Sequence, residues 1–248
     1  MRRFLLTVAI SLLLGCSGYA RDTNASSFVD AGIPAPSREW QGTDYGRTVQ
    51  VLSAGIVSLP RLNERDGAEL IKRITSTENF SFCRNRSIPL QARFTDYLSL
   101  QRGANSLLKL YYSKSISERQ NLNSEMAELL GFMMYVSALG VDLTDELLPT
   151  IPKDDQYQVR MDGLRQMYSG LTTVFAGAEH TLTENNGFSS RDRSVVLIAM
   201  AATLPRVKKI FAKDFRAELR TKLEADKAKF PEPADAARIE EMVRELGV

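Results

Sequence analysis

The chain is poor in the residues on which most metal and nucleophilic sites depend. Its 248 residues include one histidine, His180, and two cysteines, Cys16 and Cys83. Zinc sites combine several histidines, cysteines or carboxylates, and di-iron bundles need Glu-x-x-His on two helices. Position 177, three residues before His180, is a glycine. The sequence therefore predicts no metal site and no cofactor.

Catalytic motifs are scarce as well. No Gly-x-Ser-x-Gly elbow is present, although a Ser-His-Asp triad that includes His180 stays open because its members need not be close in sequence. Glu125 and Glu128 share a helix face and are a candidate carboxylate pair for cell-wall cleavage, or they lie on a solvated surface. Lytic transglycosylases have a serine after the catalytic glutamate, whereas Met126 follows Glu125. The chain is therefore predicted to act without catalysis.

His180 has a simpler interpretation than catalysis. In a helix it shares a face with small side chains, Ser169, Thr173, Ala176 and Gly177. Such a row lets a second helix approach closely, so we expect His180 at a tight helix crossing or exposed near the helix end.

The chain also lacks an excess of positive charge. It has 32 basic and 30 acidic residues, and removal of residues 1–15 would leave 30 of each, because Arg2 and Arg3 lie in that segment. Nucleic-acid-binding domains usually carry a marked basic excess. The sequence predicts no nucleic-acid partner.

The N-terminus carries the most informative pattern. Arg2 and Arg3 precede an apolar run over residues 4–14, followed by Gly15 and Cys16. Eleven helical residues cover about 16 Å, roughly half of a bilayer core, so the run is too short to span a membrane. A positive start and a short apolar run are typical of a secretory leader.

The order Leu13-Leu14-Gly15-Cys16 resembles the lipobox of bacterial lipoprotein precursors. The resemblance implies that residues 1–15 are a signal peptide and that Cys16 becomes the lipidated first residue of the mature protein. Two or three acyl chains on Cys16 would anchor it stably in a membrane. Ser17 then favours the outer membrane, facing the periplasm, if the source is Gram-negative. An ordinary signal peptide cut near Ala20 and a cytoplasmic protein with an apolar N-terminus are the alternatives.

Lipidation of Cys16 would leave Cys83 without a disulfide partner. The body is then stabilised by packing rather than by crosslinks, although the periplasm permits disulfides. Arg84 and Arg86 flank Cys83 and could activate its thiol, or the thiol is semi-buried and apolar in character.

Three segments follow from composition and periodicity: the signal peptide 1–15, a lipidated cysteine and flexible linker 16–43, and a helical domain 44–248. Large apolar residues are sparse in the linker, and Trp40 near its end is the expected docking point on the body. The domain has helical periodicity without convincing strand alternation. The predicted fold is an all-α single bundle of about six to eight helices.

Several helix boundaries are predicted from local signals. Ser117 with Gln120 reads as a capping box that starts a helix ending at Gly140, and Ser189 or Ser190 starts another. A helix before them is predicted to break near Gly103. Residues 130–139 and 194–204 are apolar nearly all round, so they are predicted to be central helices.

The most distinctive charge feature is a basic stretch over residues 206–229, with nine basic and four acidic side chains. Pro205 is predicted to kink or interrupt the helix before it. On one helix, five basic side chains form a stripe beside an apolar row at 207, 211, 215, 219 and 223. This stripe is a candidate surface for an anionic partner or a membrane, or an ordinary solvated face beside a core-facing row. Its members are Arg206, Lys209, Lys213, Arg216 and Arg220.

Three functions are compatible with these patterns. The first is a non-enzymatic outer-membrane lipoprotein that binds another envelope protein as a scaffold or an assembly or accessory factor. The second is an immunity-type inhibitor of a toxic enzyme that reaches the periplasm. The third is an enzyme that acts on the cell wall or on lipid. An exposed apolar patch on the folded body would favour the first, since monomers rarely expose large ones.

Overall fold

The computed structural model describes residues 25–118, 121–183, 187–230 and 232–247, with side chains from residue 28. Within these ranges the chain is predominantly helical and contains no strand, which confirms the predicted all-α fold. The signal peptide and Cys16 lie outside the described residues.

The helices follow one another with short connections, several of which are single 3₁₀ turns. They are α1 (Ala25–Asp30), α2 (Gly42–Ser53), α3 (Arg65–Ile74), α4 (Ser81–Arg84), α5 (Leu90–Ser117), α6 (Asn123–Leu147), α7 (Tyr157–Thr183), α8 (Ser190–Val207), α9 (Lys213–Asp226) and α10 (Pro233–Leu246).

Helix α6 lies at the centre of the fold. It is long and apolar enough to cross a membrane, but 83% of its most apolar stretch is buried inside the protein, as expected for the core helix of a bundle. One of its faces contributes to a core with α2–α5, and the other to a core with α7–α10. The prediction that 130–139 is surrounded by helices fits this position. Helix α8 contacts α6, α7 and α10, but it leaves Ile198 42% exposed and is therefore not surrounded on all sides.

The two cores differ in their packing. In the first, Phe132 of α6 stacks on Tyr45 and Phe80, with ring centroids 5.9 and 5.5 Å away. In the second, the ring of Phe211 contacts Phe175 edge-on at 5.2 Å. Aromatic pairs at such distances add to the free energy gained from apolar burial.

The folded body begins earlier than residue 44. Ile33 is 2% exposed and Trp40 is fully buried, where its indole Nε1–H donates a hydrogen bond to the Ala35 carbonyl at 3.2 Å. The Trp40 ring also meets Tyr45 edge-on at 5.7 Å. A few large side chains are sufficient to hold this segment because they enter the same core. Residues 28–43 therefore belong to the body rather than to the flexible linker.

Two glycines that the sequence places at helix breaks lie inside helices. A Cβ at Gly103 would overlap Tyr45, and a Cβ at Gly140 would overlap the hydroxyl of Tyr97. Both glycines allow close helix crossings, so α5 is unbroken and α6 continues to Leu147. These two predicted boundaries are wrong.

The capping signals give mixed results. Ser117 ends α5 instead of starting a helix, so that prediction is wrong. Ser189 does start α8: its Oγ accepts from Asp192 N at 3.2 Å, and the Asp192 carboxylate accepts from Ser189 N at 2.9 Å. Pro205 lies within α8, which ends two residues later at Val207.

Candidate functional site

The basic stripe does not lie on one helix. Helix α8 ends at Val207, a 3₁₀ turn covers Lys208–Ile210, and α9 begins at Lys213. Arg206 and Lys209 are thereby separated from Lys213, Arg216 and Arg220. The apolar row beside them enters the core, where four of its five members are buried: Val207, Phe211, Leu219 and Leu223.

Two stripe residues also form ion pairs with carboxylates of α6. Arg206 forms an ion pair with Asp142, with Nε 3.2 Å from Oδ1, and Lys209 forms one with Asp145. The two carboxylates lie one helical turn apart, as do their basic partners. Arg220 pairs within its own helix with Glu224. The prediction that these five residues form a stripe on a single helix is therefore wrong.

The carboxylates of Glu125 and Glu128 have different surroundings. Glu125 is 4% exposed and accepts hydrogen bonds from Leu62 N at 2.8 Å and Arg61 Nε at 3.2 Å. Burial raises the pKa of Glu128, an effect that nearby Arg191 opposes. Glu125 thus holds the loop before α3, and the expectation that both carboxylates lie on a solvated surface is wrong for Glu125.

Cys83 is fully buried rather than activated. Its thiol donates a hydrogen bond to the Asp96 carboxylate, with Sγ 3.4 Å from Oδ2. Burial, together with the negative charge of Asp96, raises the pKa of the Cys83 thiol to about 12. The thiolate needed for nucleophilic or redox chemistry is therefore strongly disfavoured.

His180 lines an apolar pocket of about 650 Å³ between α5, the start of α6 and the end of α7. Its side chain is exposed, in agreement with the simpler prediction for this residue. Across the described residues, no group of three histidine, cysteine, aspartate or glutamate side chains is placed to hold a metal ion. The pocket wall includes Leu108, Tyr112, Met126, Leu130, Gly177 and His180.

A second pocket of about 520 Å³ lies at the opposite end of the same two helices. It is also mainly apolar, and its wall includes Phe94, Leu98, Leu147, Gly163, Leu164 and Met167. Early turns of α5 and α7 line this pocket and later turns of both line the first pocket, so the two helices run in the same direction. We call these two pockets together the α5–α7 groove.

The α5–α7 groove carries exposed apolar side chains at its first pocket. Tyr112 is 62% exposed and Ile116 is 63% exposed, one helical turn apart on α5. Neither residue stands out in the sequence, because α5 has apolar side chains on several faces and periodicity alone does not show which face is covered. The small-residue row of α7 was visible in the sequence, and Ser169, Thr173 and Gly177 in it are exposed.

Comparisons with protein-family models, with curated proteins and with solved structures find no match to this chain.

Proposed function

We propose that this protein is a lipid-anchored envelope protein that acts by binding another protein, without catalysis. The anchor is inferred from the lipobox-like residues before Cys16, and the binding role from the α5–α7 groove. The observation that carries the binding role is the exposure of Tyr112 and Ile116 beside an apolar pocket of about 650 Å³. Exposed, contiguous apolar surface on a folded protein is a common mark of an interaction site.

The chemistry of the candidate residues supports binding rather than catalysis. Glu125 is engaged in a partly buried ion pair with Arg61, and the thiol of Cys83 is buried with a raised pKa. His180 borders an apolar pocket, and the described residues of its wall include no carboxylate.

The anchor is tested by the Cys16→Ser variant in intact cells, followed by membrane fractionation. We expect Cys16→Ser to leave the membrane fraction and to lose the mass of its acyl chains. Cys83→Ser is the matched control, because it removes the other cysteine, and it should stay in the membrane fraction. A Cys16→Ser protein that remains membrane-bound with unchanged mass would contradict the anchor.

The binding role is tested with Cys16 retained, by crosslinking in intact cells and identification of the crosslinked proteins by mass spectrometry. We expect an envelope protein to be recovered with the wild-type chain. Recovery should fall when Tyr112 and Ile116 are both replaced by serine. Both side chains are exposed, so folding should be preserved, which circular dichroism checks. Equal recovery with and without these two side chains would contradict the assignment of binding to this surface.

A further inference from the structure

Helix α6 is interlocked with the helices that precede it. At the crossing of α2 and α5, a Cβ on Gly103 would overlap the side chain of Tyr45. At the crossing of α5 and α6, a Cβ on Gly140 would overlap the hydroxyl of Tyr97. Helices that are packed this closely resist movement against each other, because any shift meets a steric clash. We call helices α2–α6 the first block.

Buried polar contacts fasten α6 to the first block at both of its ends. Near its start, the Glu125 carboxylate is 4% exposed and accepts a hydrogen bond from Leu62 N at 2.8 Å. Near its end, the Glu146 carboxylate accepts a hydrogen bond from Arg93 Nη2 at 2.7 Å, and Arg93 is itself 4% exposed. Arg93 Nη1 also donates to the Cys83 carbonyl at 3.2 Å. Movement of α6 within this block would leave buried polar groups without partners, which is costly.

The helices after α6 form a second block, α7–α10, which packs on α6 with ordinary spacing. Helix α8 lies along α6, and α7, α9 and α10 pack on α8 or on one another. At the contact of α6 with α8, a Cβ on Gly131 would lie 3.4 Å from Ala199 and 3.7 Å from Val195, which are van der Waals distances. Apolar helix surfaces in such contact can slide over each other in small steps.

Exposed ion pairs set where the second block rests on α6. Arg206 pairs with Asp142 and Lys209 pairs with Asp145, on successive turns near the end of α6. These four side chains are 36% to 50% exposed. Because water and salt screen exposed pairs, each one shifts an equilibrium by no more than about fivefold. The two pairs therefore favour one position of the second block without locking it.

The α5–α7 groove lies on the boundary between the two blocks. Helices α5 and α7 each pack on α6, but among the described residues they share no extended interface with each other. Each pocket therefore has one wall from each block. The boundary is bridged by partly buried side chains, Leu108 of α5 and Met167 and Val174 of α7, which touch both cores. Methionine in particular adapts to changes in the space around it.

We propose that the second block shifts as a unit over α6, and that this shift widens and narrows the α5–α7 groove. The ion pairs of Asp142 and Asp145 set the resting position, so ionic strength changes the balance between wide and narrow forms. Such sliding of packed helices amounts to about 2 Å. The shift is a property of the fold, so it does not depend on the anchor or on the partner of the proposed function.

Distances between pairs of nitroxide spin labels test the shift in the full-length protein in detergent. The labels are attached to a ketone-bearing amino acid, so that both cysteines stay unchanged. The pair across the groove replaces Gln91 of α5 and Gln166 of α7, both of which are exposed. We expect double electron–electron resonance to give a distance distribution about 2 Å broader for this pair than for pairs within one block.

The control pairs lie within each block, at exposed positions of helices that pack on each other. They are Gln50 with Arg102 in the first block and Ala217 with Glu241 in the second. Both control distributions should be narrow. Equal widths for all three pairs would overturn the proposal. A second-block control as broad as the pair across the groove would also overturn it, because that block would not move as a unit.

Removal of the ion pairs tests what sets the resting position. Asp142→Asn combined with Asp145→Asn keeps the side-chain size, and we expect it to move or broaden the distribution across the groove by about 2 Å. Glu240→Gln is the matched control, because it removes an exposed ion pair with Lys227 inside the second block and should change nothing. Circular dichroism checks that the variants fold.

A salt titration of the wild-type protein gives the same information without a substitution. At about 1 M NaCl, charges are screened beyond about 3 Å, so the distribution across the groove should change as it does in the double variant. The control pairs should stay as they are. A distribution across the groove that neither salt nor the double variant changes would overturn the role of the ion pairs.

Discussion

The Glu125 carboxylate at the start of α6 lies 3.2 Å from the Arg61 guanidinium, although 64 residues separate them in the chain. The same oxygen accepts a hydrogen bond from the Leu62 backbone at 2.8 Å. Pro60, the residue before Arg61, is held by Tyr111, whose hydroxyl donates a hydrogen bond to the Pro60 carbonyl at 2.7 Å. Together these contacts join the loop before α3 to α5 and α6.

We expect Glu125→Ala to lower the free energy of unfolding by about 2 kcal/mol, because it leaves the Leu62 N–H and part of Arg61 without an acceptor. Arg61 is one-quarter exposed, so water limits the loss compared with a fully buried pair. Urea denaturation measures the change. Glu128→Ala is the control one turn along the helix, and it should cost less than half as much. Equal losses would show that the loop contact is unimportant.

Glycine-to-alanine substitutions should have opposite effects at two places in the bundle. Gly140→Ala should destabilise the fold by about 2 kcal/mol, because the new methyl group would overlap the Tyr97 hydroxyl. Gly163→Ala should stabilise it by about 1 kcal/mol, because it meets only open space and alanine favours helix. Thermal unfolding followed by circular dichroism gives both signs. If both substitutions shifted the unfolding temperature in the same direction, the distinction between Gly140 at a tight helix crossing and Gly163 on an open face would be contradicted.

Gly103 and Gly140 show which features of the fold the sequence alone does not predict. Periodicity predicted the helical class and the central position of α6. A helix that is buried on all sides is apolar on all sides, and this is visible in the sequence alone. Periodicity placed breaks at Gly103 and Gly140, because a glycine that ends a helix and one that allows a close crossing look alike in the chain. The distinction depends on Tyr45 and Tyr97, which come from distant positions and reach the glycines only in the folded protein.

The candidate site likewise depends on contacts between distant parts of the chain, which local spacing does not predict. The residue spacing predicted that five basic residues lie on one helix, but α8 ends at Val207 and α9 begins at Lys213. Asp142 and Asp145, which neutralise Arg206 and Lys209, lie more than sixty residues earlier. The small-residue row of α7 was visible in the sequence because it depends on one helix alone. Its position beside the exposed Tyr112 depends on the packing of both α5 and α7 against α6.

Cys83 should be unreactive in the folded protein. Its thiol is buried and hydrogen-bonded to Asp96, and its pKa is raised to about 12, so almost no thiolate exists at pH 8. We expect maleimide labelling of Cys83 at pH 8 to become fast only after denaturant unfolds the chain. Because the folded pKa lies above the unfolded value, the stability that this group contributes is complete below about pH 8.5 and declines as the pH rises towards 12. Cys83→Ala should remove this decline, and rapid labelling of the native protein would contradict the burial.

Trp40 gives a direct measurement of where the folded body begins. It is the only tryptophan and is fully buried against Tyr45, so its emission should be blue-shifted and poorly quenched by acrylamide. A tryptophan in a flexible linker would emit like the free amino acid. Trp40→Ala should lower the free energy of unfolding by about 3 kcal/mol, because it removes a large aromatic side chain from the core. In the wild type, fluorescence and circular dichroism should report the same urea midpoint, since residues 28–43 and the helices would unfold together. An earlier fluorescence transition would show instead that this segment detaches before the bundle unfolds.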